Sequence, residues 1–305
     1  MEPVVSVRDL RMRYGDNDVL TGVDFDVAAG QVVCLLGPNG AGKTTTIEIL
    51  EGFRIRSAGE VSVLGQDPGH ADEDWRARTG VVLQSWRDHP RWTPRKLLNQ
   101  LGGYFAPYST PERRRPHDID RLLDTVGLTD LADRKIATLS GGQRRRLDVA
   151  VGIVGRPELL FLDEPTAGFD PQARRQFHRL VRGLADTEGT TILLTTHDLD
   201  EAEKLADRVL VLAAGRIVAD DTVDGLSRRL EGEAQVRWTA AGTRHSESVP
   251  DATAFVRALF AELGDEVQDL EVRRASLEDA YLTLVRQHEA GHGEAAATLF
   301  AEVSQ

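Results

Sequence analysis

The 305-residue sequence has a single cysteine, which excludes any disulfide within the chain. Cys34 lies in the apolar run Val32-Val33-Cys34-Leu35-Leu36 and reads as a small core residue. No apolar stretch approaches the ~18 residues needed to span a bilayer, so membrane spans in any assembly are expected from another chain. The start, Met1-Glu2-Pro3-Val4-Val5, has neither a basic leader nor a long apolar segment, and no signal peptide is expected. Long basic runs are also missing. The formal net charge is -12, and the short clusters Arg113-Arg114-Arg115 and Arg144-Arg145-Arg146 lie among acids and read as solvated surface. A nucleic-acid partner is therefore not expected. No internal repeat and no extended low-complexity segment is visible.

Hydrophobic residues make up 41% of the chain, enough for a substantial core in one large or two modest domains. Strand patterns occur at residues 4–10, 23–27, 31–36, 60–64, 80–84, 159–162 and 191–194, with helices at 44–51 and 171–187. Strands alternating with helices imply an α/β fold with a largely parallel sheet. From about residue 90 to 150 the periodicity turns helical, through Leu97, Leu98, Leu101 and Tyr104 and then Ile119, Leu122, Leu123 and Val126. This block reads as a helical subdomain inserted into the α/β core. Beyond the boundary expected at 222/223, strands at 233–239 and 270–274 and helices at 251–263 and 276–286 suggest a small α+β appendage. The expected domains are thus residues 1–222 and 223–305.

Gly37-Pro38-Asn39-Gly40-Ala41-Gly42-Lys43-Thr44, followed by Thr45, joins an apolar strand to a helix. That is the context of a phosphate-binding P-loop: glycines let backbone N–H groups approach phosphate oxygens, and the helix start adds partial positive charge. Lys43 is expected at the β and γ phosphates of a nucleoside triphosphate, and the Thr44 hydroxyl on Mg2+. Leu159-Leu160-Phe161-Leu162-Asp163 is an apolar strand that delivers a carboxylate to the same sheet edge, where it can hold Mg2+. Glu164, next in sequence, is placed to act as general base toward water. Ser140-Gly141-Gly142-Gln143 opens another helix with a hydroxyl and two glycine amides, a second anion-binding pattern.

Leu139-Ser140-Gly141-Gly142-Gln143, upstream of Asp163, resembles the signature sequence of ABC-type ATPases, and the match extends over about residues 4–220. Four further positions carry the resemblance. Tyr14 matches the aromatic that stacks on adenine. Gln84 matches a Mg2+-sensing glutamine near the membrane partner. Ala167-Gly168-Phe169-Asp170 matches the D-loop, with Phe169 in place of the more usual leucine, and His197 matches the switch histidine at the γ-phosphate. The resemblance implies a P-loop NTPase cassette that uses ATP and Mg2+. It further implies that Ser140, Gly141, Gly142, Gln143 and Asp170 act on the ATP held by an opposing subunit. Integral membrane permease subunits and a second ATPase subunit, in a homodimer, are the implied partners. The implied location is the cytoplasmic face of the cell membrane.

Arg274-Ala275-Ser276-Leu277-Glu278-Asp279-Ala280-Tyr281-Leu282 resembles the closing helix of ATPase subunits from ABC-2 type exporters of drugs and antibiotics. Export is therefore the expected direction. An importer ATPase and a nucleic-acid- or ribosome-associated ABC ATPase are the alternatives. The second is disfavoured by the single P-loop, the uninterrupted cassette and the acidic balance.

Overall fold

The computed structural model describes residues 2–82, 90–166, 169–229, 234–240, 242–273, 277–278, 281–282 and 285. The chain divides into two compact units, Met1–Ile217 and Val218–Gln305. The division falls a few residues before the expected 222/223.

The first unit opens with β1 (Val5–Tyr14), β2 (Asn17–Val27), β3 (Val32–Leu36), α1 (Lys43–Leu50), β4 (Ala58–Val63), α2 (Glu73–Arg78) and β5 (Thr79–Val82). The helical block follows as α3 (Pro94–Phe105), α4 (Ile119–Thr125) and α5 (Gly141–Ile153). Then come β6 (Leu159–Asp163), α6 (Pro171–Glu188), β7 (Thr191–Thr195), α7 (Leu199–Leu205) and β8 (Arg208–Ala213), and the division falls within β9 (Arg216–Asp221). The main sheet has the order β5-β6-β7-β3-β8-β9, and the pairs from β5 to β8 are parallel. Every residue of β3 and β7 is buried, as expected of strands covered on both faces. Because β3, β6 and β7 are parallel neighbours, their C-terminal ends lie along one edge, and the chemistry is carried there.

The early strands do not join that sheet. β2, β1 and β4 form a separate antiparallel sheet in which Val5 faces both Val27 and Val63. Its buried residues Val5, Val7, Leu10 and Phe25 share one core with Ile47, Ile49 and Leu50 of α1 and with Leu35, Phe161 and Leu193 of the parallel sheet. This packing fixes the helix that follows the P-loop.

α6 shows clear start and stop chemistry. The Asp170 carboxylate accepts from the amides of Gln172 and Ala173, Pro171 occupies the first turn, and Gly189 closes the helix at φ 65°.

The second unit holds α8 (Val223–Arg229), β10 (Ala234–Ala240), β11 (Thr243–Val249), α9 (Ala252–Leu263) and β12 (Gln268–Arg273). Its antiparallel sheet has the order β11-β10-β12. The buried residues Val236, Trp238 and Leu259, with Phe255 against them, make a core of its own. β11 is not visible in the sequence pattern, because Thr243–Glu247 are exposed and mostly polar; pairing with β10 creates it. Leu277, Glu278, Tyr281, Leu282 and Val285 are helical, whereas Ser276 and Asp279 of the expected closing helix lie outside the described residues.

Candidate active site

The P-loop leaves the end of β3 through positions where side chains do not fit. A Cβ on Gly37 would stand 2.4 Å from the Leu212 carbonyl oxygen, and one on Gly42, at φ 103°, would stand 2.6 Å from Leu20 Cδ2. Ala41 is buried, Pro38 half-buried, and Asn39 and Gly40 exposed. No side chain caps the start of α1, so its backbone donors face outward for an anion. Lys43 Nζ donates to the carbonyls of Gly37 at 2.7 Å and Pro38 at 3.1 Å. Burial pushes the Lys43 ammonium pKa down, and the nearby carboxylates of Glu164 and Asp163 oppose that shift. The lysine is thus folded over the loop it serves. Thr44 is exposed and Thr45 half-buried.

Asp163 ends β6, and Thr195 at the end of β7 donates its hydroxyl to Asp163 Oδ1 at 2.5 Å. The neighbouring Glu164 has φ 44°, a left-handed conformation uncommon for a non-glycine residue. Its amide is held by the Thr195 carbonyl at 3.1 Å. His197 Nδ1 lies 3.3 Å from Glu164 Oε1, and both line a cavity of about 80 Å³ with Thr166, Thr196 and Asp198. Lys43, Asp163, Glu164 and His197 are therefore brought together from three adjacent strand ends.

Ser140 begins α5 with a reciprocal cap. Its hydroxyl oxygen accepts from the Gln143 amide at 3.3 Å, and Gln143 Oε1 accepts from the Ser140 amide at 2.9 Å. The space around Gly141 is open, and the nearest atom to a Cβ on Gly142 would be Ala173 Cβ at 3.9 Å. The side-chain hydrogen bonds of Ser140, Gln143 and Asp170 to described residues stay within their own helix starts. Tyr14 is 39% exposed at the tip of the β1–β2 hairpin. The Arg54 guanidinium lies 5.2 Å from its ring centroid and is held by Glu48 of α1 at 2.6 Å. Gln84 and the D-loop residues Ala167 and Gly168 lie outside the described residues.

Three features escape the sequence reading. Arg145, expected on a solvated surface, is 8% exposed and donates to the carbonyls of Pro165 at 2.9 Å and Asp163 at 3.2 Å. It ties α5 to the loop that carries Glu164. Arg115 is likewise buried, paired with Glu158 at 3.1 Å. Both corrections have one physical cause: in the folded chain each guanidinium finds the acceptors that a composition count does not reveal. Glu51, at the end of α1, is buried, and its carboxyl is pushed up to about 8, chiefly by burial and then by repulsion from Asp163 and Glu48.

The residues present suit Mg2+ held together with phosphates. Among the described residues no group of three or more His, Cys, Asp or Glu side chains could cage an ion. An exposed Thr44 hydroxyl and the second oxygen of Asp163 match an ion that keeps most of its ligands as water and phosphate.

The sequence profile of the ABC transporter family matches residues 20–167. The chain is 37% identical over 308 residues to the daunorubicin resistance ATP-binding protein DrrA2 of Streptomyces coeruleorubidus, covering 92% of this chain and 94% of that one. It is 44% identical over 219 residues to the Nod factor export ATP-binding protein I of Ralstonia nicotianae, covering 71% of this chain and 66% of that protein. Among solved structures, an ATP-binding subunit of an ABC transporter superposes with a TM-score of 0.67 at 24% identity over 92% of this chain and 99% of its own. The ADP conformation of MJ1267, an ATP-binding cassette of an ABC transporter, superposes with a TM-score of 0.62 at 25% identity over 73% of this chain and 92% of its own.

Proposed function

The chain belongs to the ATP-binding family of ABC transporters, and from that premise we propose that it powers an exporter whose membrane-spanning subunits are separate chains. The observation that carries this reading is the convergence of Lys43, Asp163, Glu164 and His197 at the ends of β3, β6 and β7. Relatives named for daunorubicin resistance and Nod factor export favour export over import. No helix among the described residues is long and apolar enough to cross a membrane, which suits a subunit docked at the cytoplasmic face.

In this reading Lys43 and the amides of residues 37–45 bind the phosphates of ATP. Thr44, Asp163 and Gln84 hold Mg2+, which neutralises phosphate charge when bound. Glu164 accepts a proton from the attacking water, and His197 holds the γ-phosphate side of the site. Tyr14 takes the adenine on its ring. The open amides of Gly141 and Gly142, with Ser140, Gln143 and Asp170, meet ATP bound to the opposing copy in a homodimer.

The test is Mg2+-dependent ATP hydrolysis by the purified chain, together with the identity of what co-purifies under native extraction. A polytopic membrane protein that stimulates hydrolysis supports the reading. Ribosomes or nucleic acid in its place, or no hydrolysis with any membrane partner, overturn it.

A further inference from the structure

Behind the catalytic edge, α6 and α7 are joined by two polar contacts. Arg174 Nη1 of α6 donates to Asp198 Oδ2 at 2.5 Å, and His178 Nε2, one turn further along α6, lies 3.6 Å from Glu201 Oε1 of α7. Asp198 also caps α7 by accepting from the Glu201 amide at 3.2 Å. Glu201 is 1% exposed, and among the described residues neither of its carboxylate oxygens receives a hydrogen bond; the buried atoms His178 Nε2 and Arg174 Nε likewise make none. Arg145 of α5 attracts Glu201 electrostatically without bonding to it. A buried carboxyl group without hydrogen bonds is unfavourable relative to an apolar side chain, so packing alone does not account for it.

The position of this carboxylate gives it a use. Glu201 and Arg174 line the same 80 Å³ cavity as Glu164 and His197. α6 begins at the Asp170 cap, and α7 begins directly after His197. We propose that His178 and Glu201 are positioning residues that set the place of His197 by reference to the helix that starts at Asp170. The start of α6 at Asp170 would then be felt at His197 through this one pair. The proposal rests on the ATPase reading of the site, and a second readout below is independent of turnover.

The test compares His178→Phe, His178→Arg and Glu201→Gln in the full chain. Phenylalanine keeps bulk and removes the partner of Glu201; arginine returns N–H donors, and the cavity of about 410 Å³ that His178 lines leaves room for it. We expect His178→Phe and Glu201→Gln each to lower kcat about tenfold with KM for ATP changed less than about twofold, and His178→Arg to recover most of the rate. Amide hydrogen exchange over residues 196–202 should rise in the first two variants and return to the wild-type level in His178→Arg, whether or not the isolated chain turns over ATP. Wild-type kcat and exchange in His178→Phe would overturn the proposal. So would a rate loss that His178→Arg does not repair, or one that appears as KM. Absent hydrolysis in the wild-type chain with exchange altered as described would count against the ATPase reading and leave the helix tie supported.

Discussion

Thr195 Oγ1 donates to Asp163 Oδ1 at 2.5 Å, so a hydroxyl at the end of β7 fixes the carboxylate at the end of β6. The bond leaves the second Asp163 oxygen aimed by a rigid neighbour rather than by its own rotamer. Thr195→Val keeps the shape and removes the donor. ATPase activity is expected to fall about tenfold, the worth of one charge-assisted hydrogen bond, with part of the loss recovered at raised Mg2+. A Mg2+ titration of the rate reads this directly.

Lys43 sits over the carbonyls of Gly37 and Pro38 and must turn from them to meet phosphate. Lys43→Met should weaken nucleotide binding by about a hundredfold or more, because a charged donor to phosphate is lost. The melting temperature of the nucleotide-free chain should change little, since the substitution also removes a buried charge. Equilibrium binding of a fluorescent ATP analogue, with thermal unfolding alongside, separates the two effects.

Glu51 gives the fold a pH dependence of unusual sign for a carboxylate. Its folded-state pKa is raised to about 8, chiefly by burial, so the folded chain holds a proton that the unfolded chain releases near the ordinary value of 4.5. Stability is therefore full below the ordinary carboxylate range and declines as pH rises toward about 8. The loss at complete ionisation is on the order of 5 kcal/mol. Glu51→Gln should flatten this slope, raising the melting temperature at pH 8.5 while leaving pH 5 nearly unchanged. Unfolding curves across that range test it.

Arg145 binds the backbone carbonyls of Asp163 and Pro165 from within α5. Arg145→Met should cost about 2–4 kcal/mol of stability, because the carbonyls lose a charged donor in a buried place. Arg145→Lys should not restore it, since the two bonds leave from separate nitrogens, Nε to Pro165 and Nη2 to Asp163, and a single ammonium nitrogen does not reproduce that planar fork. Chemical denaturation of the three proteins decides the matter.

What was legible in the sequence was local. The P-loop between β3 and α1, Asp163 at the end of an apolar run, and the Ser140 cap are each written in a few consecutive residues. Features created by tertiary pairing were not legible. β11 has exposed polar residues and exists through its register with β10. The sequence pattern marks the first strands but not the sheet they join; the antiparallel pairing of β1 with β2 and β4 sets them apart from the parallel one. Arg145 and Arg115 resemble surface charge until the carbonyls and Glu158 that hold them are in view. His178 and Glu201 are separated by 23 positions and meet only because α6 packs on α7.

The account stands most directly on Glu164. It is placed at φ 44° beside His197, and the space around Gly141, at the helix start that Ser140 caps, is open. Glu164→Gln keeps size and removes the base. With Mg2+ and ATP, sedimentation should show this variant as a dimer with hydrolysis nearly abolished, and adding Gly142→Asp should return it to monomer by placing a carboxylate against the γ-phosphate. Wild-type turnover in Glu164→Gln, or a dimer indifferent to both ATP and Gly142→Asp, would contradict the account.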